Sequence, residues 1–222
     1  MRRPWISIIA AVIAAIALAG VITLGFAHEK LRRQMAGISS DMARLPNPSA
    51  SHEHFEARLA VIRSQLSRVE KPIIVMGDSI VESAMLPASL CGHPVINAGI
   101  GGATIGFFTR YAGIIVGSSK PELVVLSVGI NDAGIPLESF RAAYLATLQT
   151  LKAPVAVVTI APAKSSVDGF NQFIRGLEAS IIDTKELSSD MTTDGIHLDQ
   201  TGYDLWNKAI AQGIETKIGC LS

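Results

Sequence analysis

Apolar and polar positions along the chain fall into three regimes. From Trp5 to Ala27 no residue is charged and most are apolar. As a helix, this stretch would extend about 34 Å, enough for a bilayer core of roughly 30 Å. From residue 28 to 71 the spacing is amphipathic and helical. Leu31, Met35, Ile38, Met42 and Leu45 recur at steps of four and three, as do Phe55, Leu59, Ile62, Leu66 and Val69, and Pro46-Asn47-Pro48-Ser49 interrupts the pattern between them. From residue 72 onward, short β-branched runs alternate with helical patterns. Strands are expected near 73–76, 94–97, 122–128, 154–160 and 179–182, and helices near 104–117, 137–151, 167–178 and 200–217. Strand alternating with helix implies parallel β-α-β units joined by right-handed crossovers. Leu137, Phe140, Tyr144, Leu148 and Leu151 share a helical face and are expected in the core.

This divides the chain into residues 1–27, a transmembrane signal-anchor or signal peptide; 28–71, a helical connector; and 72–222, an α/β domain. An uncleaved anchor is preferred, because a cleaved signal usually has an apolar centre of only about 7–15 residues. Gly25-Phe26-Ala27 nonetheless offers a small-x-small cleavage site, and cleavage would make the protein secreted. Arg2 and Arg3 precede the segment while Lys30, Arg32 and Arg33 follow it, so flanking charge orients it weakly. The expected arrangement has the N-terminus inside and the α/β domain outside the cytoplasm, in the periplasm if the cell is bacterial. Each connector stripe is shorter than the roughly three or four heptads that would mark a coiled coil. The connector helices are expected to pack on the domain, with a hairpin of the two helices or self-association between chains as the alternatives.

Composition narrows the partners. Lys plus Arg and Asp plus Glu are equal at 19 each, and no basic stripe suggests nucleic-acid binding. The two cysteines, Cys91 and Cys220, would tie the chain end to the loop after the first strand if bridged, which requires an oxidising compartment; two unrelated thiols are the alternative. His52 and His54 flank Glu53 in a polar stretch without further ligands, which reads as solvated surface. No metal or cofactor is expected.

The chemistry lies at the strand ends. Pro72-Ile73-Ile74-Val75-Met76 leads into Gly77-Asp78-Ser79, which places Ser79 at the carboxyl end of a strand and near a helix start. Ligands bind at that edge in open α/β sheets. Ser79 reads equally as a helix-capping serine. The elbow Gly-x-Ser-x-Gly is absent, since Val81 stands at its second glycine. Asp194-Gly195-Ile196-His197 spaces a carboxylate and an imidazole three apart, close enough for the carboxylate to accept the Nδ1 proton and leave Nε2 facing a hydroxyl; taken alone, it reads also as a surface Asp–His pair without chemistry. Asn97-Ala98-Gly99-Ile100-Gly101-Gly102 is a strand running into a glycine-rich turn, and Gly129-Ile130-Asn131-Asp132 ends a buried strand. Each offers a hydrogen-bond donor just past a strand, the N–H of Gly102 and the amide of Asn131. The full G-x-G-x-x-G is not completed and no Gly-Lys-Ser/Thr follows, which disfavours nucleotide binding.

Gly-Asp-Ser, Asn-x-Gly-x-Gly-Gly, Gly-x-Asn-Asp and Asp-x-x-His, in that order over roughly residues 72–217, resemble the SGNH (GDSL-type) hydrolase superfamily. The resemblance implies a flavodoxin-like three-layer α/β/α sandwich on a five-stranded parallel sheet of order 2-1-3-4-5. It implies Ser79 as nucleophile, His197 as base and Asp194 as its partner, with an oxyanion hole from the N–H groups of Ser79 and Gly102 and the side chain of Asn131. Ala103 departs from the aspartate many relatives carry there, which puts the anchoring of that loop in question. Asp78 and Asp132 read as loop braces. The function so implied is a serine esterase hydrolysing carboxylic (acyl or acetyl) esters through an acyl-enzyme, its substrate a small molecule or a glycan ester. The alternatives are an O-acyltransferase acting on envelope glycans and a non-catalytic envelope binding or scaffold module.

Overall fold

The computed structural model describes residues 25, 26, 29, 48–162 and 166–220 of the chain. The expected membrane-spanning segment 5–27 lies outside the described residues apart from Gly25 and Phe26, as does the first connector stripe from Leu31 to Leu45. Among the described residues, no helix is long and apolar enough to cross a membrane.

Burial of β-branched runs drives the sheet. Strand β1 (Ile73–Gly77) is buried at every position, as is β4 (Leu123–Ser127), because each has a parallel neighbour on both edges and helices over its faces. The sheet also contains β2 (Ser89–Leu90), β3 (His93–Gly99), β5 (Val155–Val158) and β6 (Ser180–Ile182), in the order β2-β3-β1-β4-β5-β6. The five parallel strands thus keep the expected 2-1-3-4-5 arrangement. The sheet itself has six strands and is mixed, not five-stranded and wholly parallel. The extra strand β2 pairs antiparallel with β3 through a two-residue hairpin at Cys91-Gly92, with φ of 53° and 79°. Positive φ at both central residues suits the twist of a tight hairpin. Cys91 is bonded to Cys220, with Cα atoms 5.7 Å apart, which ties this edge to the end of the last helix.

The helices follow their apolar stripes. Helix α1 (Pro48–Leu66) buries Phe55, Leu59, Ile62 and Leu66, and Phe55 packs edge-on against Phe107 at 4.8 Å and at a tilt against Tyr111 at 4.9 Å. Pro48 occupies the first helical position, where its missing N–H costs nothing. A short α2 (Ser79–Ser83) follows β1. Helix α3 (Ile105–Val116) carries Phe107 and Tyr111, and its cap Thr104 accepts the N–H of Phe107 at 3.2 Å. Thr109 of α3 meets Thr147 of α4 (Leu137–Thr150), and Phe140 of α4 stacks at 4.0 Å on Phe170 of α5 (Asp168–Arg175). Phe140, Tyr144 and Leu151 are buried and Leu148 partly so. Leu137, expected in the core, is exposed at the first position of α4. Helix α6 (Gln200–Ile218) contacts β2, β4, β5 and β6, buries Trp206, Ile210 and Ile214, starts at the cap Asp199 and ends at Gly219 in the left-handed region.

Candidate active site

The carboxyl ends of β3, β1 and β4 lie side by side. Gly77 is in register with Gly99 on one flank and Ser127 on the other. Chain order reverses direction across the sheet at this point, where open α/β sheets form a crevice. Ser79 lies two residues past Gly77, Gly102 three past Gly99 and Asn131 four past Ser127, so the parallel register delivers all three to one edge.

Asp78, and not Ser79, caps α2. Its Oδ1 accepts the N–H of Ile80 at 3.0 Å, which leaves the Ser79 hydroxyl for another partner. That partner is His197, whose Nε2 lies 3.0 Å from Ser79 Oγ. His197 Nδ1 lies 2.7 Å from Asp194 Oδ2. The loop carrying them is pinned by its own backbone. Asp194 Oδ1 accepts the N–H groups of Ile196 at 2.9 Å and His197 at 2.8 Å, Gly195 takes φ of 93°, and Thr193 N–H donates to the His197 carbonyl at 2.8 Å. A tight loop, not a helical turn, therefore brings the pair together. The Tyr203 hydroxyl donates to the Ile80 carbonyl at 3.2 Å and fastens α6 to α2.

The carboxylates of this edge sit in contrasting surroundings. Burial pushes the Asp78 carboxyl up to about 7; the Ile80 N–H opposes the rise, and nearby Asp132 adds to it. Burial also pushes Asp132 up to about 6, against the Ile105 N–H that its Oδ2 accepts at 2.9 Å. Desolvation is the largest single influence on Asp194 and acts upward too. It is outweighed by hydrogen bonds from the His197 ring and from the N–H groups of His197 and Ile196, which hold the carboxyl at about 2. Asp194 is thus an ionised acceptor at neutral pH.

The glycine-rich turn has one uncommitted amide among residues 99–103. Gly99 N–H donates to Asn97 Oδ1, Ile100 to the Gly77 carbonyl, Gly101 to Glu82 and Ala103 to the Ile100 carbonyl. Among the described residues the Gly102 N–H, at φ of 75°, donates to none. Asn131 is exposed, and its Nδ2 donates to the Ala103 carbonyl at 3.0 Å, leaving its second N–H for a ligand. With Ala at position 103, the loop is anchored otherwise: Asn131 holds the Ala103 carbonyl, and Glu82 holds the turn at Gly101.

Sequence reasoning missed Glu82 and Arg58. His54, read as solvated surface, is exposed, with Nε2 2.9 Å from Glu82 Oε2. Glu82 falls three residues after Ser79 on one helical turn, a spacing that could have marked it. Arg58 and His54 approach from 28–41 residues away, and no local pattern announces such contacts. Among the described residues no His, Cys, Asp and Glu cluster fits a metal ion.

Solved structures share this architecture. The acetyl xylan esterase AlAXEase superposes with a TM-score of 0.56 at 22% identity, over 64% of this chain and 99% of that one. A protein described as lipolytic and of the G-D-S-L family, from Desulfitobacterium hafniense, gives 0.54 at 16% identity, over 65% and 99%. The fold is that of the SGNH hydrolases. A lipase/acylhydrolase from Enterococcus faecalis has the same SGNH fold, at a TM-score of 0.54 and 21% identity over 66% of this chain and 96% of that one. No family model matches the chain, and no curated protein matches it. Within the SGNH fold, the four motifs of this chain stand at the ends of β1, β3 and β4 and in the loop before α6.

Proposed function

We propose that the protein is a serine esterase that cleaves carboxylic esters, acyl or acetyl, through an acyl-enzyme. The observation that carries this reading is the continuous chain from Ser79 Oγ to His197 Nε2 at 3.0 Å and from His197 Nδ1 to Asp194 Oδ2 at 2.7 Å. A serine hydroxyl is a poor nucleophile at neutral pH, and an imidazole held in the right tautomer by an ionised carboxylate remedies that.

Ser79 Oγ attacks the ester carbonyl carbon while its proton passes to His197 Nε2. The carbonyl oxygen becomes an oxyanion, and the N–H groups of Ser79 and Gly102 and the spare N–H of Asn131 receive it. When the tetrahedral species collapses, the carbon–oxygen bond to the alcohol breaks and His197 returns its proton to the departing alkoxide. Water then attacks the acyl-serine carbonyl with His197 again taking a proton. The carboxylic acid leaves, and Ser79 recovers its hydroxyl proton from His197. Asp194 keeps the ring oriented and favours the imidazolium formed in both halves. The buried pair Asp78 and Asp132 takes no part in proton transfer; each holds a backbone N–H beside the site.

The test is covalent. A fluorophosphonate probe should label the wild-type chain at Ser79, and Ser79→Ala should abolish labelling. Undiminished labelling of the variant would overturn the assignment.

A further inference from the structure

We propose that Arg58 of α1, acting together with Glu82, is a positioning residue that holds the glycine-rich turn so that the Gly102 N–H faces the reacting oxygen. This deepens the esterase reading and rests on it.

The geometry is a clamp closed from two elements. Arg58 Nε donates to the Gly99 carbonyl at 3.0 Å, and its Nη2 reaches the Asn97 carbonyl at 3.3 Å and Asn97 Oδ1 at 3.5 Å. Glu82 Oε1 lies 3.5 Å from Arg58 Nε, while its Oε2 accepts the Gly101 N–H and faces His54. The two charged side chains thus grip the carbonyl of Gly99 and the N–H of Gly101, immediately ahead of Gly102. Asn97 continues the grip toward Ser79. Its Nδ2 donates to the carbonyls of Val81 at 2.7 Å and Ala84 at 3.2 Å on the stretch that starts with the serine. Gly99 must be glycine for this packing, because a β-carbon there would stand 2.1 Å from the Glu82 nitrogen.

Chemistry gives the clamp its purpose. A turn rich in glycine has many accessible conformations, whereas an oxyanion donor works only when fixed beforehand. Bonds with an ionised partner are about twice as strong as neutral ones, and the guanidinium fork sets direction as well as distance. Arg58 and Glu82 are both mostly buried, with side chains 21% and 22% exposed, so water competes little with these contacts. Helix α1 lies outside the span of the four motifs, yet it supplies the cation.

The experiment measures p-nitrophenyl acetate hydrolysis by the full chain and its Arg58→Ala, Arg58→Lys and Glu82→Gln variants, each counted by active-site labelling. Arg58→Ala should lower kcat roughly ten- to a hundredfold with KM within about twofold of wild type, the signature of a donor misplaced in the transition state. Added guanidinium ion should restore part of that kcat and leave the wild type unimproved. Arg58→Lys should fall between, since an ammonium keeps the charge and loses the fork. If Arg58→Ala does not fold, the Lys and Gln variants decide the matter by the same loss of kcat at near-constant KM. A kcat per labelled site within about twofold of wild type in the folded variants, even with a lowered melting temperature, would mean that α1 serves stability alone and would overturn the proposal. A wild-type chain that neither hydrolyses the ester nor labels at Ser79 would instead remove the esterase reading, and the clamp with it.

Discussion

Asp194 and the pair Asp78–Asp132 stand at the same edge of the sheet and carry the same functional group, yet their surroundings drive them apart. Asp194, its side chain 46% exposed, is wrapped by two backbone N–H groups and an imidazole, and it loses its proton readily. Asp78 and Asp132 are each 3% exposed, and their carboxyls accept the backbone N–H groups of Ile80 and Ile105. Neither has an imidazole partner, and these donors do not offset the desolvation, so the two retain their protons far longer. A carboxyl's role is thus set by how many donors reach it and how much water it has lost. Asn131 and Asp132 repeat the contrast within two consecutive residues, one side chain exposed at the crevice and the other turned into the core.

The sharpest way to break this contrast is Asp194→Asn. The amide no longer selects the tautomer with hydrogen on Nδ1, and kcat should fall roughly a thousand- to ten-thousandfold. Steady-state hydrolysis of a chromogenic ester measures it, and a change of less than about tenfold would mean that Asp194 is not the partner His197 depends on. Asn131→Ala comes next. It should reduce kcat about a hundred- to a thousandfold and raise KM far less, because in the proposed mechanism the lost N–H serves the oxyanion. A loss lying mainly in KM would recast Asn131 as a ground-state contact.

The smallest effect lies in stability. Asp78 and Asp132 bind a proton more tightly folded than unfolded, at about 7 and about 6 against 3.8. Their contribution to stability therefore declines as pH rises from about 4 to about 7 and is level above that. Asp194 works in the opposite sense: its contribution is complete above 3.8 and disappears as pH falls through about 2. Asp78→Asn keeps an acceptor for the Ile80 N–H but has no proton to lose. Its melting temperature should therefore vary less than that of the wild type between about pH 4.5 and 7.5. Equal slopes in the two proteins would show that Asp78 does not titrate there.

How far each feature could be read in advance follows its range along the chain. Buried strands such as Ile73–Gly77 and Leu123–Ser127 announce themselves because apolar continuity is local. Strand β2 does not: two residues have no period, and only the pairing of Leu90 with His93 creates it. The stripe beginning at Phe55 marks the packed face of α1, but the helix starts at Pro48, since its polar first turns leave no apolar trace. Ser79 and His197 lie 118 residues apart, and their meeting was legible only through the order of four motifs. Arg58 and Glu82 belong to no motif. Arg58 and Gly99 are 41 residues apart, and neither residue's neighbours hint at the other.

Helix α1 has a practical bearing for anyone trimming the gene. A boundary drawn at Pro72, where recognisable signatures begin, would discard the cation at Gly99 and the phenylalanine seated on Phe107 and Tyr111. The shortened product would bare an aromatic scar to water and slacken the turn beside Ser79, and an aggregating preparation could then be mistaken for evidence against the proposed activity.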